Sequence, residues 1–259
     1  MRRKTLSVQI GNLSIGSNHS IKTQSMTTAS TMDTAKSVQE AIRIIKAGGK
    51  LVRFTAPNIN EAKNLSKIKK SLLEKGFNTP LVADIHFTPN AALEASTIVE
   101  KVRINPGNYV DKKKFEIKEY DDKSYQEEIE KIKEKFIPLI DSCKENNVAM
   151  RIGTNHGSLS DRIMNRFGDT PLGMVESAME FLRICKNNDY DQIVLSMKSS
   201  NPVVMIHAYR LLVKSMENEN MHYPLHLGVT EAGDGLDGRI KSALGIGTLL
   251  SEGIGDTIR

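Results

Sequence analysis

The chain has 259 residues, of which 39% are hydrophobic and 26% are charged, and its formal net charge is +5. This length allows one large domain or two small ones, and the composition is typical of a soluble globular protein. Tryptophan is absent and aromatic residues make up only 5%. Because single-stranded nucleic acids are bound largely by aromatic stacking, we expect no nucleic-acid partner.

No run of about 18 apolar residues and no apolar leader occurs in this sequence, which predicts a cytoplasmic protein that does not contact a membrane. The two cysteines, Cys143 and Cys185, lie within helical patterns and form no Cys-x-x-Cys motif. We therefore expect buried thiols of a reducing compartment, and neither a disulfide nor a metal site.

An N-terminal hairpin and a regular alternation of strands and helices are predicted in chain order. Lys4–Ser17 alternates apolar and polar residues around Gly11-Asn12, as in a hairpin that caps one end of a domain. Strands are predicted at Ile21–Met26, Leu51–Ala56, Pro80–Ile85, Val102–Asn105, Ala149–Thr154, Gln192–Met197, Leu225–Thr230 and Asp256–Arg259. Helices are predicted at Asp33–Lys46 with Asp33 as N-cap, Ile59–Leu73, Pro89–Ile98, Ser124–Asn146, Pro171–Lys186, Pro202–Met216 and Asp237–Leu250.

Eight strands that alternate with helices predict an α/β fold, a (β/α)8 TIM barrel that spans residues 1–259 as one domain. Polar residues follow every strand, whereas a doubly wound open sheet, the alternative, gathers them at one switch point. The sequence ends on Arg259 without a helix after strand eight, so we expect a barrel truncated at that strand. Asn108–Lys123 is a charged insertion, either a surface excursion or a small lid.

Cations at the carboxyl ends of the strands predict a site for a polyanion. Arg53, Arg103, Arg151, Lys198 and Arg259 each lie at or near the end of an apolar run, where barrel strands direct alternate side chains into one cavity. Arginine forks bind phosphoryl oxygens in a bidentate manner, so this set could hold two phosphoryl groups.

Acid–base and hydrogen-bonding groups share the predicted inward positions. Asp84 and Glu231 are candidates for proton transfer, with Glu231 placed on one face with Leu227 and Val229. Asn105 and Asn155 could fix hydroxyl or phosphate oxygens, and His86 and His156 are weaker candidates. His226 has the opposite parity from Glu231, which predicts that it packs between strand and helix.

Five motifs in order resemble the family of 4-hydroxy-3-methylbut-2-enyl diphosphate synthases, the iron–sulfur enzymes of the methylerythritol phosphate route to isoprenoids. They are Thr23-Gln24-Ser25-Met26-Thr27, Val82-Ala83-Asp84-Ile85-His86-Phe87, Arg103-Ile104-Asn105-Pro106-Gly107-Asn108, Arg151-Ile152-Gly153-Thr154-Asn155-His156-Gly157-Ser158 and His226-Leu227-Gly228-Val229-Thr230-Glu231-Ala232-Gly233. Ser160-Asp161-Arg162 and Gly168-Asp169-Thr170-Pro171 are similar to the longer, three-domain form.

The resemblance implies a substrate, 2-C-methyl-D-erythritol 2,4-cyclodiphosphate, that is opened and reduced by two electrons with loss of water. It implies diphosphate clamps at Arg53, Arg103, Arg151, Lys198 and Arg259. It also implies substrate contacts at His86, Asn105 and Asn155, and catalytic roles for Asp84 and, above all, Glu231 in proton handling.

The resemblance further implies a [4Fe-4S] cluster held by three cysteines and a glutamate of a C-terminal domain, with flavodoxin or ferredoxin as the electron donor. This sequence supplies no such ligand set, so the barrel alone is expected to be inactive; a homodimer is possible. Two alternatives stay open: a non-catalytic diphosphate-binding module, and a barrel enzyme of the pterin-binding type.

Overall fold

Ten β-strands organise residues 1–85, 88–110 and 120–259, which are the residues that this computed structural model describes. They are β1 (Ser7–Ile10), β2 (Leu13–Gly16), β3 (Lys22–Met26), β4 (Leu51–Thr55), β5 (Leu81–Asp84), β6 (Lys101–Ile104), β7 (Ala149–Asn155), β8 (Ile193–Lys198), β9 (His226–Leu227) and β10 (Thr257–Ile258). β1 and β2 form the predicted antiparallel hairpin, and the other eight form one sheet.

The eight-stranded sheet is parallel and runs in the order β8-β7-β6-β5-β4-β3-β10-β9. A parallel bridge between Leu195 and Leu225 joins β8 to the segment just before β9, so the ends of the sheet meet. The predicted TIM barrel is confirmed, because a doubly wound sheet would leave two open edges.

Helices connect the strands and begin mostly where the sequence places a capping residue. They are α1 (Thr34–Lys46), α2 (Ile59–Glu74), α3 (Pro89–Ser96), α4 (Pro106–Tyr109), α5 (Asp122–Glu145), α6 (Asp161–Phe167), α7 (Pro171–Asn187), α8 (Pro202–Asn218), α9 (Gly235–Ser242) and α10 (Thr248–Ser251). Asp33 caps α1 as predicted, since its carboxylate accepts a hydrogen bond of 3.1 Å from the Lys36 backbone N–H.

The core has an outer and an inner part. The larger apolar cluster lies between the sheet and the helices and includes Phe54, Ile104 and Leu195. A smaller cluster fills the amino-terminal end of the barrel interior, where hairpin residues meet the starts of four strands: Val8, Ile10, Ile15, Leu51, Val82, Ala149 and Val194. We call this second cluster the apolar floor, and it leaves the carboxyl-terminal half of the interior to polar side chains.

Three local features differ from the sequence predictions. The predicted helix at Asp237–Leu250 is divided into α9, a π-helical turn at Ala243–Gly247, and α10. The predicted strand Leu225–Thr230 is shorter than expected: β9 spans only His226–Leu227, and Leu225 forms the isolated bridge. α6 was not predicted, although Ser160 caps it by accepting from the Ile163 N–H at 3.4 Å. Much of the insertion at Asn108–Lys123 lies outside the described residues.

No helix in residues 1–85, 88–110 or 120–259 has the length and apolar character needed to cross a lipid bilayer.

Candidate anion-binding site in the barrel

The register of the strands decides which side chains face the barrel interior. Arg53 pairs with Val82, Val82 with Lys101, and Lys101 with Ala149, and paired residues of parallel strands point to the same face. Since Val82 and Ala149 belong to the apolar floor, Arg53 and Lys101 also point inward. Side chains along each strand therefore alternate between the barrel interior and the outer core, as predicted for β4 to β8.

Asp84 holds two of the predicted cations. Its Oδ2 lies 3.0 Å from Arg53 Nη2 and its Oδ1 lies 3.0 Å from Arg103 Nη1, and its side chain is fully buried. A carboxylate that engages one arginine with each oxygen fixes the direction of both guanidinium groups. Asp84 therefore lies inside the predicted cation cluster and orients it.

Arg103 continues across the barrel to β7. Its Nη2 donates to the Gly153 carbonyl oxygen at 2.8 Å and to Asn155 Oδ1 at 3.3 Å. The Arg103 side chain can reach β7 only because residue 153 is glycine: a Cβ there would lie 2.7 Å from Arg103 Nε and 3.0 Å from Ser196 Oγ. Arg103, Gly153 and Asn155 are thus brought together as the parity of the two strands predicted.

Arg151 differs from Arg53 and Arg103 because no described residue forms an ion pair or hydrogen bond with its guanidinium group. Its side chain is only 1% exposed, and neither Nε nor Nη1 has a hydrogen-bond partner in the part of the chain that the structure describes. Burial, together with the charges of Arg53 and Arg103, lowers the pKa of Arg151. A buried, unpaired guanidinium is costly, so this position favours an anionic ligand.

Lys198 lies at the end of β8 beside Asn155, its register partner, and is 5% exposed. Burial and the neighbouring arginines, chiefly Arg53 and Arg151, lower its pKa well below the ordinary value. Gly228 allows a close approach of the last residue, since a Cβ at that position would lie 2.8 Å from the Arg259 carbonyl oxygen. Arg259 is exposed just after β10. Its charge repels that of Lys198 and attracts that of Asp84.

Asn105 follows β6 and is almost fully buried. Its Nδ2 donates to Ser158 Oγ at 2.8 Å, whereas its Oδ1 has no hydrogen-bond partner among the described residues. The two loops approach closely because residue 107 is glycine: a Cβ at Gly107 would lie 1.7 Å from the Ser158 carbonyl oxygen. The Asn105 oxygen is therefore free to accept a bond from a ligand hydroxyl.

Two predicted site residues stand apart. Glu231 is exposed, lies four residues beyond β9 and has a left-handed backbone with φ of 52°. The predicted inward face of Leu227, Val229 and Glu231 is wrong, because Leu227 packs in the outer core and the strand ends at that residue. His86 lies outside the described residues, so its place in the site stays a prediction.

His226 occupies the inward position on β9, and the prediction that it packs between strand and helix is wrong. It pairs in register with Thr257, and its Nδ1 lies 2.8 Å from Nε2 of Gln24 on β3. Burial, and then the charges of Arg151, Lys198, Lys101 and Arg53, lower the pKa of the imidazole well below its usual value. A neutral His226 therefore faces the cations.

Lys101 was missed altogether. It is fully buried, and its Nζ has no hydrogen-bond partner among residues 1–85, 88–110 and 120–259. The signal was present in the sequence, since Lys101 shares the parity of Arg103 and Asn105. With it, the described part of the inner face carries five buried basic side chains (Arg53, Lys101, Arg103, Arg151 and Lys198) and one buried carboxylate, Asp84. This excess of positive charge suits a ligand with at least two negative charges.

Comparison with known proteins decides the family. A family model described as the GcpE TIM-barrel domain matches residues 5–259, almost the whole chain. The chain belongs to the GcpE TIM-barrel family. Family membership fits the site, because the matched span contains every strand that contributes a cation to the barrel interior.

Curated relatives of this GcpE barrel are longer than the chain itself. It is 62% identical over 259 residues to "4-hydroxy-3-methylbut-2-en-1-yl diphosphate synthase (flavodoxin)" of Parabacteroides distasonis, matching all of this chain and 42% of the relative. It is 56% identical to "4-hydroxy-3-methylbut-2-en-1-yl diphosphate synthase (ferredoxin), chloroplastic" of Oryza sativa subsp. japonica, of which it covers 35%. The chain thus spans well under half the length of these relatives.

Solved structures share the barrel alone. Dihydropteroate synthase of Xanthomonas albilineans superposes on 99% of the GcpE barrel and 92% of its own chain, with a TM-score of 0.61 but only 9% identity. At that identity the likeness shows the TIM-barrel fold and carries no argument about the ligand.

Described residues of this GcpE barrel do not fit an iron–sulfur cluster. Residues 1–85, 88–110 and 120–259 contain no group of three His, Cys, Asp or Glu side chains arranged to hold a metal ion. Cys143 and Cys185 are buried in helices, and burial raises the pKa of Cys143 to about 12 and also raises that of Cys185. Neither thiol offers the thiolate that a cluster needs.

Proposed function

We propose that this chain is the diphosphate-binding barrel of a 4-hydroxy-3-methylbut-2-enyl diphosphate synthase. This oxidoreductase of isoprenoid biosynthesis opens 2-C-methyl-D-erythritol 2,4-cyclodiphosphate and reduces it by two electrons with loss of water. The observation that carries the proposal is the buried cation cluster, in which Arg151 lacks a partner among the described residues. Membership in the GcpE family, and relatives named for synthesis of 4-hydroxy-3-methylbut-2-en-1-yl diphosphate, support a diphosphate ligand.

The two phosphoryl groups bind to the cations according to depth. Arg151 contacts the deeper group, and its two unpaired nitrogens, Nε and Nη1, donate to phosphoryl oxygens. Lys198 and Arg259 bind the group nearer the mouth, where Arg259 is exposed. Arg53 and Arg103 are held by Asp84, so they present fixed donors and lose little conformational entropy on binding.

The carbon skeleton is oriented by amides near the carboxyl ends of β6 and β7. Asn105 Oδ1 accepts from a hydroxyl group, with Ser158 holding the amide in place, and Asn155 lies beside Arg103. Asp84 and Glu231 are the proposed proton-handling carboxylates, Glu231 acting from the loop that follows β9. His86 is the remaining proposed substrate contact.

Electrons must reach the substrate from outside the described residues, since these do not fit a cluster. We propose that a [4Fe-4S] cluster, reduced by flavodoxin or ferredoxin, belongs to the part of the relatives that this chain does not match. The barrel by itself then binds substrate and does not turn it over. A homodimer of the whole protein stays a prediction.

Isothermal titration calorimetry of this chain with 2-C-methyl-D-erythritol 2,4-cyclodiphosphate tests the proposal. We expect one ligand per chain, and we expect Lys198→Met to weaken binding by roughly 1.5–3 kcal/mol, the scale of a charged hydrogen bond. Arg183→Met is the matched control, because Arg183 pairs with Glu219 and Glu176 on the outside of the barrel and should leave affinity unchanged. A folded chain that binds no cyclodiphosphate would refute the proposal.

A further inference from the structure

Lys101 is a buried amine at the boundary between the apolar floor and the cation cluster. Its register partners on both sides, Val82 and Ala149, belong to the floor. The charges that act on it are those of Arg151 and Arg53 above it. Its side chain is completely buried, and its Nζ finds no partner in the described ranges. Among the described residues, no carboxylate pairs with this lysine to stabilise an ammonium ion.

Charged or titratable groups face this position from most strands of the barrel. They are Arg53 on β4, Asp84 on β5, Arg103 on β6, Arg151 on β7, Lys198 on β8, His226 on β9 and Arg259 after β10, whereas β3 contributes the neutral Gln24. Asp84 is already shared between two arginines. The repulsion among the remaining cations is therefore largely uncompensated without a ligand.

Such repulsion is relieved by loss of a proton, but not from every cation. Arginine retains its proton at any ordinary pH, whereas a buried lysine gives up its proton readily. Burial and the charges of Arg151 and Arg53 lower the pKa of Lys101 well below its usual value. A bound anion reverses this balance, because two negative charges above Lys101 restore the stability of the ammonium form.

We propose that Lys101 is a further residue of the diphosphate site, a neutral amine that takes a proton from solvent when the anion binds. The proton adds to the Nζ lone pair, no bond of the ligand changes, and the buffer supplies the proton. Bound ligand then rests above an ammonium ion that supplements Arg151. This inference rests on the proposed function, since it needs a dianion in the barrel.

Affinity should therefore depend on pH. A site that takes up protons on binding loses affinity as pH rises, since the proton becomes harder to obtain. The ligand itself does not gain or lose a proton in this test, because each phosphorus of the cyclodiphosphate carries a single acidic hydroxyl group, which is strongly acidic and fully ionised. Lys198 and His226 also titrate in the barrel, so a variant at Lys101 is needed to assign the proton.

The experiment is calorimetric titration of the chain with 2-C-methyl-D-erythritol 2,4-cyclodiphosphate in buffers of different ionisation enthalpy. The dependence of the observed enthalpy on the buffer gives the number of protons taken up. We expect net uptake by the wild type near pH 8 and a fall of about half or more in Lys101→Met. We also expect the Kd of that variant to change less with pH.

Lys50→Met is the matched control, because Lys50 is exposed before β4 and should leave proton uptake unchanged. If Lys101→Met does not give a cooperative melt, Lys101→Gln takes its place. Binding with no proton uptake by the wild type, or with equal uptake by wild type and variant, overturns this inference and leaves the proposed function intact. Absence of any binding by the folded wild type would refute both.

Discussion

Replacement of Arg151 by methionine should stabilise the ligand-free chain while it weakens ligand binding. Arg151 is 1% exposed, and its Nε and Nη1 have no partner within the described residues. Each buried donor without a partner costs about 1–3 kcal/mol, and exchange of a buried charged group for an apolar side chain commonly gains about 1–4 kcal/mol. Methionine has a comparable length and can fill part of the same space.

The expected net gain is smaller than the sum of these effects. Loss of the guanidinium volume leaves a small cavity that costs about 1 kcal/mol, so we expect the free energy of unfolding to rise by about 1–3 kcal/mol. For a chain of this size, 1 kcal/mol corresponds to about 2–4 °C in Tm. Cyclodiphosphate affinity should fall roughly 10- to 150-fold, as expected for the loss of charged hydrogen bonds.

Thermal unfolding followed by circular dichroism, with and without ligand, measures both effects on the same samples. The control is Arg183→Met, in which a paired and partly exposed guanidinium is removed; it should lower Tm slightly and leave the ligand-induced rise in Tm unchanged. A fall in the Tm of ligand-free Arg151→Met below that of the wild type would refute the reasoning, because it would show that Arg151 stabilises the empty barrel.

Three further changes test the interior. Gly153→Ala places a methyl group 2.7 Å from Arg103 Nε and should weaken cyclodiphosphate binding about tenfold in calorimetric titration. The control is Gly157→Ala, since a Cβ at Gly157 would have nothing within 4 Å and should leave affinity unchanged. Equal affinities of the two variants would contradict this. Asp84→Asn breaks two buried ion pairs and should cost about 3–5 kcal/mol in urea unfolding, so an unchanged midpoint would count against the pairing. The lowered pKa of Lys198 means that the unfolded chain binds a proton the folded chain does not, so ligand-free stability should rise with pH by at most about 1.4 kcal/mol per unit from this group. As pH rises from neutral toward the usual lysine pKa, Lys198→Met should show a smaller rise in urea stability than the wild type, and equal rises would contradict the assignment.

Side-chain alternation predicted the interior well where strands are long and paired on both sides. On β6 and β7 the odd-numbered residues Arg103, Arg151 and Gly153 face inward as expected. β9 has only two paired residues, so alternation extended to Glu231 had no strand to follow. The backbone turns at Glu231 into a left-handed conformation, which local sequence does not specify for a glutamate.

The sequence did not show how deep each inward side chain lies within the barrel. Alternation places Lys101 on the inward face but does not say that it lies level with the apolar floor, where an amine is costly. His226 was assigned outward because its parity was counted from Glu231. The contact of His226 with Gln24 joins strands more than 200 residues apart in the chain, a pairing that follows only from barrel closure.

The division of the helix predicted at Asp237–Leu250 also has a tertiary cause. A Cβ at Gly245 would lie 2.9 Å from both the Met205 and Val229 side chains, so the chain passes close to α8 in the π-helical turn. The apolar pattern of this segment indicates a helix but not the close contact. Glycine in such a place marks backbone approach to a neighbour, and only the packed structure identifies which neighbour.

A crystal structure of this chain with 2-C-methyl-D-erythritol 2,4-cyclodiphosphate tests the central claim most directly. We predict one ligand inside the carboxyl-terminal half of the barrel, with phosphoryl oxygens within hydrogen-bond distance of Arg151 and Lys198. The Arg53–Asp84–Arg103 arrangement should be unchanged. Ligand bound only on the outer surface, or a barrel interior in which Arg151 contacts no phosphoryl oxygen, would contradict the claim that the buried cations form the diphosphate site.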